Sequence, residues 1–330
     1  MTGAAAGVAV LDRAGWKRLL RPDLLVLGLC AAYVALVGPF TPDFFTARNA
    51  ENLLVHALPL FILAVGQTAV MVTGGIDLSM TSALALASIS GAWVMTPSGP
   101  LGGGPAAVLA GIALMLLVGA SVGCLNGLAV TRLRMPPFIV TLTAMTFFSG
   151  LAIWLTQSRG ISPLPAGFNA LGRRLPCVAG IAAAAGVGAH LLLSRTLLGR
   201  WFYAVGHNAR AARVSGVPVS LVLVLAYILS GALAGLASVI YTAQGGTGSP
   251  ILGQRLLLDV VAATVIGGTS LFGGRGRVHW TLLGVVFFKL IDNTLNLLDL
   301  SHFTIMMVKG GLILAAALLD TLRNRFLGAS

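Results

Sequence analysis

The sequence is poor in charge, in lysine and in cysteine, and each shortage closes off a class of function. Only 9% of its 330 residues are charged, where soluble domains carry about 25%, and just nine are acidic. Its three lysines, Lys17, Lys289 and Lys309, follow Trp16, Phe288 and Val308. No Gly-Lys-Ser/Thr phosphate loop can therefore be drawn, so the chain itself is not expected to hydrolyse nucleotide. The three cysteines, Cys30, Cys124 and Cys177, lie in apolar segments without paired or CxxC spacing. They read as small core hydrophobes rather than a disulfide framework or metal site. The five histidines are scattered, with no HExxH. The sequence thus assigns no catalytic residue, no cofactor-binding residue and no metal ligand.

What is abundant is apolar surface. With 57% hydrophobic residues, the composition predicts an all-α, polytopic integral membrane protein whose solvent is lipid. A net charge of +12 would suggest nucleic acid in a soluble domain, but no basic stretch here carries interleaved aromatics. Loop arginines and lysines account for it instead.

A bilayer core about 30 Å thick takes about 20 helical residues. Ten stretches approach that length: about 22–40, 53–73, 78–95, 105–129, 138–156, 175–194, 219–242, 257–270, 280–298 and 303–320. With both termini cytoplasmic, fourteen of the 21 Lys and Arg fall on the inner side and five (Arg48, Arg159, Arg173, Arg174, Arg255) on the outer, while Lys289 and Lys309 fall inside spans. That asymmetry is what the positive-inside rule requires. The run 24–40 follows Arg13, Lys17, Arg18 and Arg21 without a small-residue cleavage site, and reads as an uncleaved first span. The expected organisation is a cytoplasmic segment 1–21, one transmembrane domain 22–320 and a cytoplasmic tail 321–330. Two connections are longer, 157–174 outside and 195–218 inside; both are too short to bury a core of their own.

The inner connection contains AVGHNARAARVSGV (204–217). Asn208 can cap a short helix to Val214, closed by Gly216 and Pro218. The residues leave two readings even: a solvated basic loop carrying Arg210 and Arg213, or a docking helix for a cytosolic partner.

Two glycine breaks interrupt the apolar pattern, TGGIDLS at 73–79 and IGGTSLFGG at 266–274. Gly267, Gly268, Gly273 and Gly274 read as tight turns between closely packed helices, and the likeness of the two breaks hints at an internal repeat. In the first break Asp77 sits beside Gly74 and Gly75. It can cap the third span through the amides around Ser79 and Met80, or line or gate a path. It can also carry a proton in an autonomous secondary transporter, or act as the base of an intramembrane enzyme.

Several of these stretches occur together in one known family. TGGIDLSM (73–80), LNGLAVTRLRMPPFIVTLTAMTFFSGLAI (125–153), AVGHNARAARVSGV (204–217), LDVVAATVIGGTSLFGGRGRV (258–278), NTLNLL (293–298) and VKGGLILAAALLD (308–320) resemble the permease subunits of ribose-type (simple-sugar) ABC importers, relatives of the branched-chain amino-acid permeases. The likeness runs from about residue 40 to 320. It implies an importer core in a bacterial inner (plasma) membrane, paired with a second permease, the same or homologous. Two cytosolic ATPase subunits would bind the ATP and Mg, and a periplasmic sugar-binding protein would deliver substrate. No cofactor is expected in this chain. Carried over by position, Gly206, Asn208, Ala211, Ala212, Arg213, Ser215 and Gly216 belong to the loop that contacts the ATPase, which tips the even reading to docking. Candidates for the sugar path are Gln67, Thr73, Gly74, Gly75, Asp77, Ser79, Asn126 and Asn296, although each polar one can equally serve helix–helix hydrogen bonding. The chain departs from the family pattern at Arg210, near the Ala-Ala pair where an acidic residue is common, and at Ser149, where arginine is frequent. Lys289 and Asp292 stand in a span usually apolar there, three apart and able to pair on one helix face.

Overall fold

The computed structural model describes residues 22–327; the segment expected to be cytoplasmic over 1–21 lies outside them. The described residues hold helices and no sheet, with one antiparallel bridge between Ile161 and Gly248. The helices are α1 (Pro22–Val37), α2 (Ala47–Val72), α3 (Met80–Met95), α4 (Pro105–Arg132), α5 (Pro137–Thr156), α6 (Ala166–Arg173), α7 (Leu175–Arg195), α8 (Leu197–His207), α9 (Ala209–Val214), α10 (Val219–Gly245), α11 (Leu256–Ile266), α12 (Val278–Leu297) and α13 (His302–Leu327). Five of them, α2, α4, α5, α7 and α10, are long and apolar enough to cross a membrane.

The centre is built from α2, α3 and α10. Every residue from Pro59 to Val72 is buried, so this part of α2 meets protein on all sides. Helices α4 and α10 cross closely because Gly119, Gly123 and Gly127 present a four-residue repeat to Gly231, Gly235 and the backbone of Tyr227 and Val224. A side chain at Gly119 or Gly123 would run into the carbonyls of Gly231 or Tyr227, the close approach that small-xxx-small spacing allows in membranes. Hydroxyl pairs lock the inner helices: Thr68 with Thr281 (α2–α12) and Ser88 with Thr242 (α3–α10), both at 2.7 Å. Helices α5 and α7 stand outside this core and leave Phe147, Trp154, Val187 and Leu191 exposed, as lipid-facing surfaces do.

Several boundaries differ from the expectation. Helix α2 begins at Ala47 because Thr46 caps it, accepting the Asn49 amide at 3.2 Å. Helix α11 stops at Ile266, which gives it about 16 Å at 1.5 Å per residue, roughly half a bilayer core. The outer connection is not all turns: α6 forms there and buries Phe168 completely. The inner connection holds α8 as well as α9, with Thr196 capping α8 through the Gly199 amide at 3.1 Å. The backbone of the expected tail is still helical to Leu327.

Candidate functional site

The two glycine breaks meet in space, at the end of the bundle where α7 turns into α8. Gly274 donates its amide to the carbonyl of Val72, the last residue of α2, at 2.9 Å. A Cβ on Gly273 would stand 2.9 Å from Gly74 Cα. Gly74, Gly273 and Gly274 have φ of +84°, +88° and +71°, a region that side-chain-bearing residues avoid. Helix α8 closes the junction. A Cβ on Gly206 would overlap the Val72 carbonyl and come within 2.6 Å of the Gly274 amide, and the His207 ring covers Gly274. Tyr203 donates its hydroxyl to the Gly276 carbonyl at 2.7 Å. Burial raises the Tyr203 phenol above its ordinary value, against the opposing pull of the Arg277 guanidinium, so the proton stays on the donor. Gly268 also turns at φ +96°. Gly267 lies in the same turn without needing a positive φ: its φ is −61°, and it is small because a Cβ would meet the Trp280 carbonyl at 2.5 Å.

The second half of the first break forms a sealed polar cluster. Asp77 is 1% exposed. Its Oδ1 accepts from the Ser79 amide at 3.0 Å and the Ser79 hydroxyl at 2.7 Å, and its Oδ2 accepts from the Ser230 hydroxyl at 2.7 Å. Asn126 Nδ2 donates to Ser79 Oγ at 2.6 Å, and the Asp77 amide donates to Gln67 Oε1 at 3.4 Å. The structure thus brings Gln67, Asp77, Ser79 and Asn126 together across α2, the first break and α4, and adds Ser230 from α10. Thr73 turns back onto the Val70 carbonyl at 2.7 Å. Gly75 makes room for Tyr227, whose hydroxyl would lie 2.7 Å from a Cβ there. Among the described residues, Gln67 Nε2 and the Tyr227 hydroxyl are buried without a hydrogen-bond partner.

Residues 49–317 match the family described as branched-chain amino acid transport system / permease component. The chain belongs to this permease family. It is 37% identical over 298 residues to the ribose import permease protein RbsC of Escherichia coli (strain K12), covering 87% of this chain and 90% of that one. It is 41% identical over 293 residues to RbsC of Bacillus subtilis (strain 168), covering 87% and 89%. The D-allose transport system permease protein AlsC of Escherichia coli (strain K12) is 32% identical over 306 residues, covering 90% and 91%. No solved structure matches the chain. The family resemblance carried by the motifs is therefore borne out, and the chain is a multi-pass membrane permease related to transport subunits.

In this permease the α8–α9 segment presents two faces. Gly206 faces the glycine breaks and Ala212 is buried at 5%. Ala211, Arg213, Ser215 and Gly216 are exposed, and so is Val214, at 90%. Asn208 caps α9 by accepting the amides of Arg210 and Ala211, both at 3.0 Å, and Gly216 ends it at φ +83°.

Asn296 stands apart from the Asp77 cluster. It is exposed, donates to the Asp292 carbonyl at 2.6 Å, and lines a cavity of about 560 Å³ with Asn49, Asn52, His56, Asp292 and Asn293. Beside it runs an ionic chain. Lys289 reaches Asp292 at 3.1 Å, as the spacing predicts, and Lys309 then bridges Asp292 at 2.8 Å and Asp259 at 3.1 Å. Sequence reasoning missed Asp259 and Lys309 as a pair. The available signal was that each is a charge set within an apolar stretch, which demands a partner somewhere.

Proposed function

We propose that this chain is the membrane-spanning subunit of an ATP-binding-cassette importer that moves a sugar or sugar-like polyol from periplasm to cytoplasm across a bacterial inner membrane. The relatives named for ribose and allose import supply the substrate class. The observation that carries the mechanism is the junction of Gly206, Val72 and Gly274. In this reading the exposed face of α9, with Val214 and Arg213, docks a cytosolic ATPase that binds ATP and Mg. ATP-driven closure of the ATPase moves α8–α9, and Gly206 and His207 press that movement on both glycine breaks at once. The first break carries Asp77 and leads into α3, so a rigid-body shift of α8 is passed to α3 and to the half-length helix α11.

The polar cavity holding Asn49, Asn52, His56, Asn293 and Asn296 suits a neutral polyol, because side-chain amides both donate and accept. A periplasmic sugar-binding protein would deliver substrate there, and a second permease subunit, the same or homologous, would complete the pathway. Asp77 favours a structural role over proton carriage or base catalysis, since both its oxygens are already engaged and water is kept out.

The test is reconstitution in proteoliposomes with and without the ATPase and binding protein, using radiolabelled ribose and allose. Uptake is expected only with all components and ATP. Uptake by this chain alone, driven by a pH gradient, would overturn the importer reading.

A further inference from the structure

At the α7–α8 corner, next to the glycine junction, a cavity of about 520 Å³ is lined by Arg200, Arg275 and Arg277 and by no acidic residue. Among the described residues, none of these guanidiniums has a carboxylate within ion-pair distance. The neutral hydroxyls nearby are already committed: Ser194 donates to the His190 carbonyl at 2.5 Å and Tyr203 to Gly276. Arg277 lies over the Trp280 ring at 5.0 Å, which keeps its guanidinium beside the cavity. The site therefore concentrates positive charge with no internal counterion.

A second cavity, of about 600 Å³, adjoins it, because His190, Val278 and His279 line both. Its other walls are apolar, including Phe61, Ala182, Ala183, Gly186 and Leu282. Along α7 it runs from His190 back to Ala179, about 16 Å at 1.5 Å per residue, or one leaflet of a core about 30 Å thick. An inorganic anion would use the arginines and leave this groove idle. An amphiphile with an anionic head uses both.

We propose that the two cavities form one site for a single anionic phospholipid of the inner leaflet, its phosphate held by Arg200, Arg275 and Arg277 and an acyl chain laid in the α7 groove. The assignment rests on the reading above that the α8–α9 side is cytoplasmic. Anionic lipid is recognised in this way by basic pockets between membrane helices on the cytoplasmic face. The headgroup would sit against the 274–277 segment that joins the glycine junction, so occupancy would brace the part of the permease that α8 must move.

The permease–ATPase complex, placed in nanodiscs of phosphatidylcholine with a minor fraction of phosphatidylglycerol, is extracted into mild detergent, and its retained lipid is counted by mass spectrometry. Phosphatidylglycerol should be retained above its share of the bilayer. The double variant Arg200→Gln/Arg277→Gln should retain roughly thirtyfold less, at about fivefold per arginine near the surface. Ala183→Trp fills the groove from an exposed position and leaves the arginines intact; it should also release the lipid. Wild-type retention in Ala183→Trp, with displacement by millimolar inorganic phosphate, would make this a free-anion site and overturn the proposal. So would equal retention in all variants. Retention by the isolated permease but not by the complex would assign the arginines to the ATPase contact and overturn it as well. ATP-driven ribose uptake, measured in parallel on the wild type, fails independently of lipid retention and so separates this proposal from the transport reading.

Discussion

The Gly274 amide is hydrogen-bonded to the Val72 carbonyl at 2.9 Å, which ties the second glycine break directly to the end of α2. Gly206 of α8 packs on the same carbonyl. Gly206→Ala should therefore push α8 off the junction, at an overpacking cost of about 1–3 kcal/mol. The expected outcome is normal membrane abundance and ATPase binding, with sugar uptake reduced at least tenfold. Pull-down of the ATPase alongside uptake checks it; wild-type uptake in Gly206→Ala would show that the contact transmits nothing.

Asp77 offers a second test through its three donors. In Asp77→Asn the amide oxygen can keep the Ser79 amide, and the new NH₂ can donate to the Ser230 hydroxyl, which accepts as well as donates. Most transport should survive. Asp77→Ala leaves the Ser79 amide and Ser230 hydroxyl buried and unmatched, at about 1–3 kcal/mol each, and should lower the thermal midpoint in detergent. A proton carrier would give another pattern: uptake at background in Asp77→Asn with stability intact.

How much of this was legible follows from how local each feature is. The Asn208 cap, Gly216 and the Lys289–Asp292 pair depend on neighbours in sequence, and all were readable. So were the glycine breaks, although the close packing of Gly267 on the Trp280 carbonyl was not. Helix α8 was hidden because LLGRWFYAVGH is short and mixed in polarity, and α6 because it follows prolines. Ser230 lies 153 residues from Asp77, and Lys309 lies 50 from Asp259; no local pattern joins them. The repeat of Gly119, Gly123 and Gly127 went unread in the sequence, because its meaning depends on Gly231 and Gly235 of a helix about a hundred residues away.

The ionic chain predicts an asymmetric mutant series. Lys309 serves Asp292 at 2.8 Å and Asp259 at 3.1 Å. Lys309→Met would strand the buried Asp259 and should cost about 3 kcal/mol, the low end for breaking a buried pair because its partner Asp292 keeps Lys289. Adding Asp259→Asn should recover most of that loss, since no uncompensated charge remains. Thermal unfolding of purified protein in detergent measures both. A double variant no more stable than Lys309→Met alone would mean that Asp259 draws little from Lys309.

Asn208 separates the docking reading from a plain loop. Its side chain accepts the amides of Arg210 and Ala211, both at 3.0 Å, and α9 is only one to two turns long, so it has little else to hold its first turn. Asn208→Ala should cost α9 about 1 kcal/mol, whereas Asn208→Asp should retain the cap. Because α9 lies on an exposed surface with Val214 outward, the loss falls on local order and leaves the bundle intact. The expected result is an unchanged thermal midpoint for Asn208→Ala with ATPase affinity weakened about fivefold, the factor that 1 kcal/mol sets. Asn208→Asp should restore it. ATPase binding measured by surface plasmon resonance on permease in nanodiscs decides the matter: equal affinity for all three proteins would leave α9 as a solvated basic loop.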